Sequence, residues 1–190
     1  MDPGLLSAVK RIYEVLESLK YSPVIVGTYA LIIQGWLPVD YVYETKDIDI
    51  YVPDPMIVFD RRVEDKLEAI GFPIGRSEAG GFYADAGKPI EILYPVFDIY
   101  IPERLLDHVL KINDMRVLEG HAVLVAKALG SDIDYLADII HLRKVAVDST
   151  HLEKLVKELT GKVSPEYYEV LVRRIERFIE KYKKLLGTGR

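Results

Sequence analysis

The chain has 190 residues, with 25 Lys and Arg against 30 Asp and Glu and a formal charge of -5, which excludes a strongly basic protein held to duplex DNA mainly by phosphate neutralisation. Hydrophobic residues make up 49% and charged residues 29%, a composition that folds and excludes disorder over most of the length. The absence of cysteine rules out disulfides, thiolate metal sites and a cysteine nucleophile together, and four histidines leave any metal mainly to oxygen ligands. The first residues lack the basic and apolar regions of a signal peptide, and the longest apolar stretch, 24–39, is interrupted by Gly27, Gln34 and Gly35. It falls short of the roughly 20 residues that span a bilayer, so a cytoplasmic protein without a membrane span is expected. One asparagine (Asn113) and one glutamine (Gln34) beside abundant Glu and Lys form a pattern seen in thermophile proteins.

In chain order, Leu5, Val9, Ile12, Tyr13, Leu16 and Leu19 recur every three or four residues and predict an amphipathic helix over 4–20. Pro23-Val24-Ile25-Val26 reads as a buried strand ending at Gly27, after which Thr28 is expected to cap a helix that Gly35 stops. Asp47-Ile48-Asp49-Ile50-Tyr51-Val52 alternates acid and aliphatic as a half-buried strand does, and Pro53 ends it. A helix is predicted over 60–70, with Gly71 as its stop. Residues 80–85 read as a strand or hairpin arm, Pro89-Ile90-Glu91-Ile92-Leu93 as a clearer strand, and 96–101 as a third, separated by Pro95. Beyond Pro102 the periodicity predicts helices at 103–111, 119–129, 132–145, 149–159 and 165–186. The expected fold class is therefore α+β: a mixed sheet flanked by helices in residues 1–102, followed by a helical bundle in 103–190.

The strongest chemical signal is Asp47-Ile48-Asp49. On a strand, side chains two apart share a face, so both carboxylates emerge together while Ile48 and Ile50 enter the core. Such a pair repels unless a cation or a shared proton lies between, and a hard divalent ion such as Mg2+ fits; a solvated edge strand is the plainer alternative. About twenty residues upstream, Gly27 lets the backbone approach a ligand, and Thr28 at the helix start adds a donor for an anion. A third acid would complete the set, from Glu91 or from Asp98. These are seven apart, an odd spacing that would turn them to opposite faces of one unbroken strand, so only one would join the site; Glu91 is favoured and Asp98 held in reserve. Lys127, alone on an apolar helix, either snorkels outward or points into a cleft. Lys46 and Arg76 read as solvated, Arg173, Arg174, Arg177, Lys181, Lys183 and Lys184 as a solvated basic face, and His121 and His141 as surface or satisfied core residues.

Val26-Gly27-Thr28, Asp47-Ile48-Asp49 and Ile90-Glu91-Ile92 resemble, in this order, the motifs of minimal nucleotidyltransferases of the DNA polymerase beta-like superfamily, over roughly residues 22–145. Gly27-Thr28-Tyr29-Ala30-Leu31 with Gly35, then Thr45-Lys46-Asp47-Ile48-Asp49-Ile50, is similar to the antitoxin-type and uncharacterised prokaryotic branch. Thr28 stands where Gly or Ser is usual, and Tyr43 where that branch commonly has Arg.

The resemblance implies transfer of a nucleoside monophosphate from an NTP, ATP foremost, to an acceptor hydroxyl on a protein, a tRNA or a small molecule. It implies Asp47, Asp49 and Glu91 as catalytic and metal-binding residues of a two-Mg2+ site, with Gly27, Thr28 and Lys127 toward the nucleotide. The rival reading, prompted by Thr28 and Tyr43, is a non-catalytic binding protein of the same fold, such as one partner of a toxin-antitoxin pair. Nucleotide and acceptor are the expected partners; no membrane and no strong duplex DNA binding are expected, and self-association stays open.

Overall fold

The computed structural model describes residues 3–76, 82–95 and 101–188. Its first helix, α1 (Pro3–Ser18), buries Leu5, Val9, Ile12, Tyr13 and Leu16 along one stripe, as their spacing requires. Strand β1 (Val24–Ile25) runs straight into α2 (Gly27–Ile33), and Gly35 at φ +77° turns the chain out of it. A 3-10 turn over Val39–Tyr43 leads to β2 (Ile48–Tyr51). After it come α3 (Arg61–Ala69), β3 (Ile74–Arg76), β4 (Phe82–Asp85) and β5 (Pro89–Leu93). Asp60 caps α3 by accepting from Arg62 N–H at 3.1 Å.

The chain then forms a one-turn helix α4 (Glu103–Leu106), strands β6 (Val109–Ile112) and β7 (Met115–Leu118), and four longer helices. These are α5 (Gly120–Gly130), α6 (Asp134–Leu142), α7 (Ser149–Glu158) and α8 (Pro165–Thr188). Among the described residues, seven strands join one sheet in the order β3-β4-β5-β2-β1-β7-β6. The sheet is mixed: β2 pairs parallel with β5 and antiparallel with β1, which in turn runs parallel to β7. The molecule is thus α+β, a mixed sheet flanked by helices with helices following it, as the sequence pattern predicts.

Ile48, Ile50, Ile90 and Ile92 lie on one face of the central pair β2–β5 and are 0% exposed. Each contributes roughly 1.5–3 kcal/mol of apolar burial. The same alternation turns Asp49 and Glu91, opposite each other in register, to the other face.

Three sequence expectations change. Residues 103–111 are not one helix: α4 stops after a turn and β6 pairs antiparallel with β7. Leu105, Leu106, Val109 and Leu110 mimic a helical stripe, but Asn113 and Asp114 both adopt positive φ (51° and 66°), the backbone of a tight hairpin turn. Thr28 is not the cap of α2: Val26 holds that position and offers no side-chain acceptor, so Thr28 lies in the first turn. The basic residues of α8 are not simply solvated. Arg174 and Arg177 pair with Asp132, and Lys181 with Asp138, so ion pairs link α8 to the middle of α6 and to the turn before it. The strand expected over 96–101 falls almost wholly outside the described residues, as do Gly80 and Gly81 of the 80–85 arm.

Candidate active site

Asp47 stands just before β2, Asp49 in its middle, and Glu91 in the middle of the adjoining β5. Register alone sets Asp49 beside Glu91, and the pleat brings Asp47 to the same face. The three offer carboxylate oxygens within 4.8 Å of one another. All are half-buried. Gly27, the first residue of α2, lies against Asp49: its backbone has φ +62°, and a Cβ placed on it would lie 2.1 Å from Asp49 Oδ2. No side chain other than hydrogen fits there. The Val26 N–H donates to the Asp49 carbonyl at 3.1 Å, which fixes the bend against β2.

The electrostatics are those of acids crowded together and partly withdrawn from water. Burial, then the charge of Asp47 and that of Glu91, push Asp49 up to about 7, while Lys127 pulls the other way. Glu91 is raised as well, by burial and by Asp47. Lys127 of α5 is depressed by its own burial, and the fields of Asp49 and Asp47 partly restore it. An all-carboxylate donor set at these separations suits a hard divalent cation. With two of the three acids disfavoured in their charged form and their oxygens this close, the residues present fit such an ion.

No family model matches the chain, and no curated protein matches it. Nucleotidyltransferases stand among its structural neighbours. The solution structure of the antibiotic-resistance factor ANT(2'')-Ia aligns at 19% identity over 99% of this chain and 98% of that one, with a TM-score of 0.46. ANT(2'')-Ia in complex with adenylyl-2''-tobramycin aligns at 17% over 92% and 98%, TM-score 0.44. A protein from H. pylori assigned as a nucleotidyltransferase aligns at 13% over 100% and 99%, TM-score 0.44.

The structure brings Asp47, Asp49, Glu91 and Gly27 to one place, with Thr28 next to Gly27 in the half-buried first turn of α2 and Lys127 within the fields of Asp49 and Asp47. Asp98 lies outside the described residues. Lys46 is exposed, and Arg76 is taken by Glu64 at 2.9 Å. Tyr43 is 71% exposed and lines an open cavity of about 810 Å³ with Arg11, Phe72 and Lys88. Two supporting residues escape sequence reasoning. The Lys88 ammonium donates to the Thr45 carbonyl and so anchors the loop that delivers Asp47. Tyr83, opposite Glu91 across β4–β5, rests on Gly75, where a Cβ would come within 2.3 Å of its ring. A lone lysine in a turn and a tyrosine on a strand carry no pattern of their own; their roles arise from pairings distant in sequence.

Proposed function

We propose that this chain is a divalent-metal-dependent nucleotidyltransferase that moves a nucleoside monophosphate from an NTP, ATP foremost, to an acceptor hydroxyl. The convergence of Asp47, Asp49 and Glu91 beneath Gly27 carries the reading. Asp47 and Asp49, with Glu91, would hold one or two Mg2+ ions, and that metal supplies charge neutralisation at the phosphates and the leaving group. Glu91 would take the proton of the acceptor hydroxyl as its oxygen bonds to the α-phosphorus and pyrophosphate departs. Lys127 would offer its amine to the triphosphate, whose negative charge favours the protonated form, and the Gly27-Thr28 backbone would lie along it. Residues 1–102 would supply most of this site, and the helices beyond would border the acceptor.

Among the described residues no helix is long and apolar enough to cross a membrane. The test is incubation with each α-labelled NTP and Mg2+ in the presence of total cell protein, tRNA or an aminoglycoside such as tobramycin. Label transferred to one acceptor class, with pyrophosphate release and loss of both in EDTA, is the expected result. Absence of release with every nucleotide, or transfer indifferent to EDTA, would leave a binding protein of this fold instead.

A further inference from the structure

Helix α5 carries Lys127, and later parts of the chain grip it at both ends. At its far end, Arg174 of α8 donates to the carbonyls of Ala128 at 2.8 Å and Leu129 at 3.1 Å. At its start, Glu119 caps the helix by accepting from the N–H groups of His121 at 3.1 Å and Ala122 at 3.2 Å. The buried His121 ring joins this cap to the next. Its Nδ1 lies 2.6 Å from Glu119 Oε1, and its Nε2 lies 3.0 Å from the backbone nitrogen of Asp148, the N-cap of α7.

A backbone N–H can only donate, so His121 Nε2 accepts, and the ring's single proton sits on Nδ1, facing Glu119. Trp36 meets the same ring edge-on at 4.9 Å and lies so close to Gly120 that a Cβ there would fall 2.3 Å from it. Gln34, two residues earlier, donates to the Leu118 carbonyl at 2.9 Å. The ring is thereby fixed against the end of α2, the helix that begins at Gly27.

We propose that His121 is a positioning residue: a neutral imidazole, held as the Nδ1–H tautomer, that clasps the first turn of α5 to the cap of α7 and so sets where Lys127 stands relative to Asp47 and Asp49. Its effect on nucleotide binding rests on the nucleotidyltransferase reading above. The rival use of these atoms is a metal site, since Glu119, His121 and His151 offer ligands within 4.8 Å of one another. A cation on Nδ1 would drive the ring proton to Nε2, against the Asp148 N–H. Metal-bound imidazoles turn their second N–H toward an acceptor, and here a donor occupies that position. The hydrogen bonds favour the clasp.

Nitrogen-resolved NMR of the histidine rings at neutral pH tests the tautomer without any substrate. His121 is expected as Nδ1–H, and an Nε2–H tautomer would overturn the proposal. His121→Phe keeps a ring and loses the acceptor, while His121→Gln can return an acceptor to the position of Nε2. The Lys127 ammonium resonance, read without nucleotide in folded protein, should move in the Phe variant and return in the Gln variant; no movement in either would overturn the clasp.

Calorimetry with ATP and Mg2+ should show affinity falling by about 10- to 100-fold in His121→Phe, with recovery to within about threefold in His121→Gln. On a Lys127→Met background the His121→Phe change should add nothing further, because the ring acts through Lys127. Fully additive losses would mark a merely structural residue, and tight Zn2+ binding lost in His121→Phe would establish the metal site; either overturns the proposal. Failure of the unaltered protein to bind ATP with Mg2+ would strike the nucleotide reading alone, and the tautomer and Lys127 resonances would still decide the clasp.

Discussion

Replacing Asp49 by Asn is expected to abolish nucleotidyl transfer while leaving the metal-free protein at least as stable as the original. The loss of activity follows from the removal of a central ligand. Electrostatic stabilisation by a bound cation amounts to several kcal/mol, so a drop of at least about 10³-fold is expected. The stability follows from linkage. Asp49 is pushed up to about 7 by burial and by the neighbouring acids, against 3.8 for the free side chain. Between those two values the folded protein binds more protons than the unfolded chain, so stability falls as pH rises from about 4 to about 7 and levels off above.

Asn carries no charge to bury, so the variant escapes a cost of the order of a few kcal/mol at pH 8, partly offset because Lys127 loses one of its two carboxylate neighbours. Thermal unfolding in EDTA at pH 5 and pH 8 checks this: the variant's advantage should widen at the higher pH. Mg2+ should raise the melting temperature of the original protein and leave that of the variant nearly unchanged. An Asp49→Asn protein that melts well below the original at pH 8 in EDTA would show that the carboxylate is not under strain.

Gly27→Ala should be nearly as damaging, by a different route. The methyl group would sit 2.1 Å from Asp49 Oδ2, and the backbone at φ +62° disfavours any side chain. The left-handed conformation costs about 1–2 kcal/mol for a non-glycine residue. The larger effect lies in the site, because the carboxylate must move or the bend must lift off β2. A displacement near 1 Å costs on the order of 10²-fold in rate. Mg2+ affinity from calorimetry, set beside a melting curve, separates the two: affinity should fall far more than the modest loss of stability would explain. Gly35→Ala is the fitting control, since Gly35 shares a positive φ of +77° but a Cβ there would meet nothing within 4 Å. It should lose stability and keep its Mg2+ affinity. Equal loss of affinity in both variants would argue that strain alone, and not contact with Asp49, makes Gly27 matter.

The local parts of this structure were open to reading because they depend on near neighbours in sequence. Alternation in 47–52 predicted β2 and the shared face of Asp47 and Asp49, and β2 occupies Ile48–Tyr51. The apolar run ending at Gly27 predicted the bend at β1. The odd spacing of Glu91 and Asp98 admitted only one of them, the match of Ile90-Glu91-Ile92 to the family motif put Glu91 forward, and the structure sets Glu91 in register with Asp49.

What sequence could not show was set by pairings far apart in the chain. The β6–β7 hairpin was hidden because its flanking leucines mimic helical spacing, although Asn113-Asp114 carried the turn. The close contact of Asp49 joins it to Gly27, twenty-two residues earlier. Arg174 and Arg177 looked like a solvated face because their partner, Asp132, lies more than forty residues away. His121 looked merely satisfied, and it is; its partners tie α5 to α7, which no spacing of residues announces.

On the proposed function, three carboxylates, two of them on neighbouring strands and one just before them, hold a divalent cation beneath the glycine bend. Anomalous diffraction from crystals grown with Mn2+ and a non-hydrolysable NTP tests it most directly. A strong Mn2+ peak is predicted about 2.1 Å from oxygens of Asp47 and Asp49, with Glu91 on the same ion or on a second one beside it. Density for Mn2+ elsewhere, with Asp47, Asp49 and Glu91 left without a cation while nucleotide is bound, would contradict the account.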